Sequence, residues 1–251
     1  MKNAVISSVF GGGQGNLSFS NDNWPGFTLA EVLITLGIIG VVVAMTLPSL
    51  VGNYKKKQTV TQLKKSYTVL SQAVKMSELK NGSVAYWDYT LPAKEFFETY
   101  LSNYVSINKN TITDSVKSYN YLNGSTCTEN LCTGNSYNVF LSDGSSLTVS
   151  RATLPDGRVI IVDINGYKKP NTIGKDVFAF AIIKNYGLAP FGYKDFGLSD
   201  AGGGVNQVFG DYDREVLTSN TTYACSKGKR GFWCSALIIM DGWQIKDDYP
   251  W

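Results

Sequence analysis

From residue 27 to residue 47 the chain is apolar almost without a break, and Glu31 is the one charged side chain in it. At about 1.5 Å of rise per helical residue, those 21 residues reach the roughly 30 Å of a bilayer's hydrocarbon core, so the pattern predicts one membrane-crossing helix. Gly40 and Ala44 form a small-x-x-x-small pair on which a second helix could pack closely. Pro48 lacks the backbone donor that would bond back to Ala44, which predicts a kink or local melting there. Past Pro48 the pattern changes. Val60, Leu63, Tyr67, Leu70 and Val74 recur at spacings of three and four, which predicts an amphipathic continuation with this stripe on the protein's own sheet. Lys56, Lys57, Lys64, Lys65 and Lys75 fall on the other side and read as a solvated face, or one that meets anionic lipid headgroups or a neighbouring subunit. Asn81-Gly82 should end the helix.

Beyond residue 82 the helical period gives way to strand-like runs. After a short helix expected over 93–104, runs at 137–141, 146–149, 158–164 and 176–183 are rich in β-branched and aromatic residues. Asp143-Gly144, Asp156-Gly157 and Asn165-Gly166 punctuate them as hairpin signals, so an antiparallel sheet follows. A helix laid on such a sheet makes the fold class α+β. Cys127 lies five residues from Cys132, and Cys225 nine from Cys234. That spacing favours two local disulfides, each contributing about 2–3 kcal/mol, over a zinc site, because neither pair has finger spacing. Residues 163–176 cluster oxygen-bearing side chains around a Gly turn, but they offer few carboxylates and interpose lysines, so a structural turn is expected rather than a calcium loop. Residues 211–215 read as a solvated acidic loop. The aromatic tail, 233–251, is expected to pack on the sheet.

Composition narrows the chemistry. The chain has no His, so Ser-His, Cys-His and His-zinc centres are excluded within it, and no paired-acid motif replaces them. No enzyme, no cofactor and no metal are expected. With 23 basic against 20 acidic residues, the net charge of +3 implies no strong nucleic-acid field. The glycine cluster at 11–15 lacks the Gly-Lys-Ser/Thr ending of a phosphate loop and reads as flexible.

Glu31 is the residue that a plain anchor does not explain, since a carboxylate in the bilayer costs up to about 2.5–3.5 kcal/mol at the helix centre and less near an end. A cut between Gly26 and Phe27 would create an amino group one helical turn away. The run Gly26-Phe27-Thr28-Leu29-Ala30-Glu31 ahead of an apolar helix resembles the cleavage and methylation motif of type IV pilins and type II secretion pseudopilins. The likeness extends over about residues 26–74 and includes Gly40 and Pro48. The resemblance implies that a prepilin peptidase cuts after Gly26, that Phe27 becomes the methylated first residue, and that Glu31 serves docking of subunits. It also implies a leader at 1–26, a transmembrane and assembly helix at 27–50, an amphipathic continuation at 51–82 and a globular pilin-like domain at 83–251, with the disulfide-bearing region near the C-terminus. Partners would be the bacterial inner membrane, crossed once with the globular domain exported, the peptidase and other subunits, with no nucleic acid. Leaders of that family usually carry a basic residue before the Gly, where this chain has Asn23-Trp24-Pro25 and places Lys55-Lys56-Lys57 after the span instead. A membrane-anchored adhesin or ligand-binding module outside any filament is the alternative.

Overall fold

The computed structural model describes residues 26–108, 118–128, 132, 136–154, 157–166, 168–184, 186–192, 214–219 and 222–251. The expected leader at 1–25 with its glycine cluster, the Asp156 turn position, Tyr167 and residues 211–213 lie outside them. The chain divides into two compact units, residues 1–49 and 50–251.

One helix, α1 (Leu29–Asn81), runs without interruption through Pro48, so the local melting expected near Ala44 does not occur. In the first unit every described residue is exposed. In the second, Leu63, Leu70, Ala73 and Val74 are buried, with Thr59, Ser66 and Ser77 beside them, while Val60 and Tyr67 pack at the core's edge. The helix stops at Gly82, whose φ of +79° places it in the left-handed region that Gly enters without a Cβ penalty. A 3-10 turn at Val84–Tyr86 and α2 (Ala93–Tyr100) follow.

Five strands, β1 (Tyr137–Phe140), β2 (Ser146–Leu154), β3 (Gly157–Asp163), β4 (Val177–Ile183) and β5 (Gly187–Pro190), pair in sequence order, all antiparallel. The protein is α+β. Register assigns the faces, because directly paired residues point the same way and neighbours alternate. One face carries Leu147, Val162 and Phe178, then Val149, Ile160 and Phe180, and it meets both helices. Tyr67 of α1 lies 5.7 Å from Phe180, and Phe97 of α2 lies 5.5 Å from Tyr137, between ring centroids. Arg158 is on this face too, 1% exposed, stacked 5.0 Å over Phe96. It donates to the Ser150 carbonyl at 3.2 Å and to the carbonyls of Tyr89 and Leu91, so a single guanidinium ties β2 and β3 to the chain ahead of α2.

The other face is polar for its position. Asn138, Ser146, Thr148 and Asp163 are fully buried there. Tyr119 covers them, its hydroxyl 3.4 Å from the Thr148 hydroxyl, and burial pushes its pKa up to about 12. Two elements that the sequence pattern did not announce close the structure. Helix α3 (Arg214–Ser219) begins inside the stretch expected to be a solvated loop, and α4 (Cys234–Met240) packs its buried Cys234, Ala236, Leu237 and Ile238 near β4 and β5.

Candidate functional site

The helix start is built by Thr28 and Glu31. The Glu31 amide donates to Thr28 Oγ1 at 3.2 Å. In return, the Thr28 amide and hydroxyl donate to Glu31 Oε2 at 2.8 and 2.9 Å. This Thr-x-x-Glu exchange is a capping box, which satisfies two of the backbone donors a helix leaves open and sets a carboxylate at the positive end of its dipole. The sequence carries its signal in Thr28-Leu29-Ala30-Glu31, a Thr followed three residues later by Glu just before an apolar run. Oε1 of Glu31 accepts no hydrogen bond from a described residue, so the cap orients the carboxylate and leaves one oxygen for another donor. Gly26 and Phe27 precede the cap in extended, exposed chain, Phe27 being 87% exposed.

The rest of the first unit suits an apolar surrounding. It contains the one helix among the described residues that is long and apolar enough to cross a membrane, and none of its most apolar 18-residue window is buried. The hydroxyls of Thr35 and Thr46 turn back onto the carbonyls of Val32 and Val42, both at 3.0 Å, which removes free donors from the helix surface. A Cβ added at Gly37 or Gly40 would meet nothing within 4 Å. Each Gly costs a helix about 1 kcal/mol against Ala. No contact within the described chain accounts for these two.

In the second unit, the disulfides Cys127–Cys132 and Cys225–Cys234 form, with no free cysteine. Cys234 packs against the 163–176 loop so closely that a Cβ on Gly174, at φ +86°, would stand 2.7 Å from its sulfur. The loop itself is organised by its carboxylates acting as acceptors. Asp176 takes the Asn171 and Thr172 amides at 2.8 and 2.6 Å and the Asn165 side-chain amide at 3.0 Å, and Asp163 takes the Asn165 amide at 3.1 Å. Among the described residues, no group of three His, Cys, Asp or Glu side chains comes together to hold a metal ion.

The lysine face is less bare than its pattern suggests. Lys65 pairs with Asp143 at 2.9 Å, Lys56 stands 4.0 Å from Asp247, and Lys64 lies 5.8 Å over the Trp243 ring. Between α1 and the C-terminal segment, Val60, Lys64, Thr68, Val69, Trp243 and Gln244 line an open groove of about 490 Å³. Trp243 holds φ +61°, which a bulky side chain adopts only at a cost. The aromatic tail packs inward only in part: Tyr249 is 4% exposed and its hydroxyl donates to the Gly174 carbonyl, whereas Trp251 stays exposed. Arg214, expected on a solvated loop, grips Asp241 through Nε and Nη2 at 2.8 and 3.0 Å and Asp248 through Nη1 and Nη2 at 2.6 and 2.8 Å. Lys246 adds a contact to Asp241 at 2.6 Å. Burial pushes the Asp241 pKa up, but Arg214 and Lys246 outweigh it and hold the group below the usual carboxylate range.

No curated protein and no solved structure matches the chain. A family model does match it over residues 49–251, a span that takes in the second unit and leaves out the capped apolar helix start, and the chain therefore belongs to that family, a family of unknown function, DUF6613.

Proposed function

We propose that this chain is a structural subunit, of the minor kind, of a type IV pilus or type II secretion pseudopilus, acting without catalysis. The observation that carries the reading is Glu31: a carboxylate fixed by its own helix cap, with one oxygen unused, at the head of the apolar part of α1, none of whose residues 29–49 is buried within the described chain. The prepilin-type junction supplies the rest. The chain inserts once in the bacterial inner membrane with residues 1–26 in the cytoplasm and residues 83–251 exported. The peptidase cleaves after Gly26, Phe27 is methylated, and the helix leaves the bilayer for the core of a filament. There Glu31 Oε1 faces the charged amino terminus of a neighbouring subunit, and Gly37, Gly40 and Ala44 let neighbouring helices approach. An oxidising compartment outside the membrane suits two disulfides.

The test is the amino-terminal residue of membrane-extracted protein, read by mass spectrometry. N-methylated Phe27 is expected, and an intact Met1 overturns the reading. Glu31→Ala should leave insertion intact and reduce incorporation into filaments at least about tenfold, as loss of a charge-assisted contact in an apolar core would. The groove at Trp243 supports the second reading, an anchored ligand-binding module. A chain that keeps its leader and never enters a filament would favour it.

A further inference from the structure

Three segments that the sequence keeps apart converge at one end of the second unit: residues 118–128, the 164–176 loop and the disulfide-closed stretch 222–234. Ile173 donates its amide to the Asn120 carbonyl at 2.9 Å, Leu122 donates to the Arg230 carbonyl at 3.1 Å, and Gly174 rests on Cys234. Together they carry Lys168, Lys169, Lys175, Lys227, Lys229 and Arg230, all exposed or half-buried. Among their described residues the only carboxylate is Asp176, which is 4% exposed and already takes three N–H donors. The nearby C-terminal acids are answered as well, Asp241 and Asp248 by Arg214, and Asp247 by Lys56 at 4.0 Å. The result is a basic surface on a chain whose overall charge is only +3.

Contacts within the unit say which end this is. Lys56, near the start of α1's second part, reaches Asp247, and Tyr249, two residues on, bonds Gly174. Lys65 reaches Asp143 in the turn between β1 and β2, at the same end of the sheet. The basic loops therefore lie toward the beginning of that part of α1, where Lys55 and Lys57 add two more cations beside the Lys56–Asp247 pair, and away from Gly82. Lys56 follows Leu47 by nine positions. Chain of that length reaches at most about 30 Å however it is arranged, so the basic end is tethered close to the bilayer surface.

The geometry points to this basic end as a docking face for anionic lipid headgroups, which holds the subunit on the bilayer before assembly. It rests on the membrane-spanning reading of α1, and it is independent of cleavage. The tether selects the occupant: whatever else the surface could bind, a phosphate-bearing plane is always within reach. No large apolar side chain among the described residues of the three segments is exposed, so the contact is electrostatic rather than insertional and must weaken with salt.

The test uses the full chain reconstituted in vesicles of phosphatidylcholine alone or with phosphatidylglycerol, exposed to a water-soluble amine reagent and read lysine by lysine by mass spectrometry. Anionic lipid should slow modification of Lys168, Lys169, Lys227 and Lys229 by about fivefold and high salt should restore it. Lys80, in the last turn of α1, and Lys94, on α2, should label alike in both vesicles. Changing those four loop lysines to Gln should leave folding intact and abolish the lipid-dependent protection that remains measurable at Lys175. Equal labelling in both vesicles overturns the inference, as does protection that ignores lipid charge and salt, which would mark a contact between copies. Extraction of the chain by alkaline carbonate would sink the span reading together with this one, whereas an inserted chain without lipid dependence sinks this one alone.

Discussion

The two parts of α1 are written in the same kind of residue and use it in opposite ways. Between Leu29 and Ser49 no side chain is buried, although Leu33, Ile34, Leu36 and Ile38 are as apolar as anything in the protein and stay about 60% exposed. Between Thr59 and Ser77 seven residues are buried, and they recur at the helical period. A stripe at spacings of three and four has one face to satisfy, and its own sheet satisfies it. An apolar surface all the way round has no internal solution, so its partner must come from outside the described chain, as lipid or as other helices. Hydrophobicity in the second part is therefore an instruction for folding, and in the first an instruction about surroundings.

The strongest way to break that contrast is to make the same change on both sides of it. Leu63→Ala empties a fully buried core site and should lower unfolding stability by about 2–5 kcal/mol, while Leu36→Ala should stay within about 0.5 kcal/mol. Urea unfolding of detergent-solubilised protein, followed by tryptophan fluorescence, measures both. Comparable losses would mean that Leu36 has a folding partner and that the two parts do not differ as argued.

A second, smaller effect sharpens the comparison by separating charge in the two regions. Glu31 carries no cation partner among the described residues, whereas the second unit fastens α3, the end of α4 and the C-terminal segment through Arg214. Arg214→Met should cost about 1.5–3 kcal/mol, since it leaves Asp241 buried without its main partner. Arg214 holds the Asp248 pKa below its ordinary value, and the Asp241 pKa is also depressed despite burial. Groups depressed in the fold contribute stability that is fully present above the unfolded-state value of about 4 and is lost as pH falls through the folded-state value. Wild-type protein should therefore lose stability on acidification below about pH 4 more steeply than Arg214→Met, in parallel thermal melts.

What could be read in advance divides along physical lines. The period of residues 60–74, the Gly82 stop, four of the five strands and both cysteine pairings follow from local pattern and are present. Strand β5, Gly-Leu-Ala-Pro, has no β-branched or aromatic residue to announce it, and β4 rather than its own sequence makes it a strand. Helices α3 and α4, of six and seven residues, are shorter than two full periods, so tertiary contacts decide them. The solvated-loop reading of residues 211–215 failed at Arg214 because a charged residue shows its partners only when distant chain returns to it, here from Asp241 and Asp248. The convergence of the basic loops was hidden for the same reason: Lys168 and Lys229 are 61 residues apart.

The smallest expected effect tests the helix start itself. Thr28→Val keeps the shape of the side chain and removes the hydroxyl that both accepts from the Glu31 amide and donates to Oε2. Amide exchange of residues 29–32 should quicken by about fivefold, with residues 59–77 unaltered, because a cap acts on its first turn and the second part of α1 is held by its core. If Glu31 is oriented by Thr28, the same substitution should also lower filament incorporation while membrane insertion stays normal, and Thr28→Ser should restore both. Faster exchange with unchanged incorporation would leave the capping box a local feature of helix folding and would make the Glu31 carboxylate find its neighbour unaided.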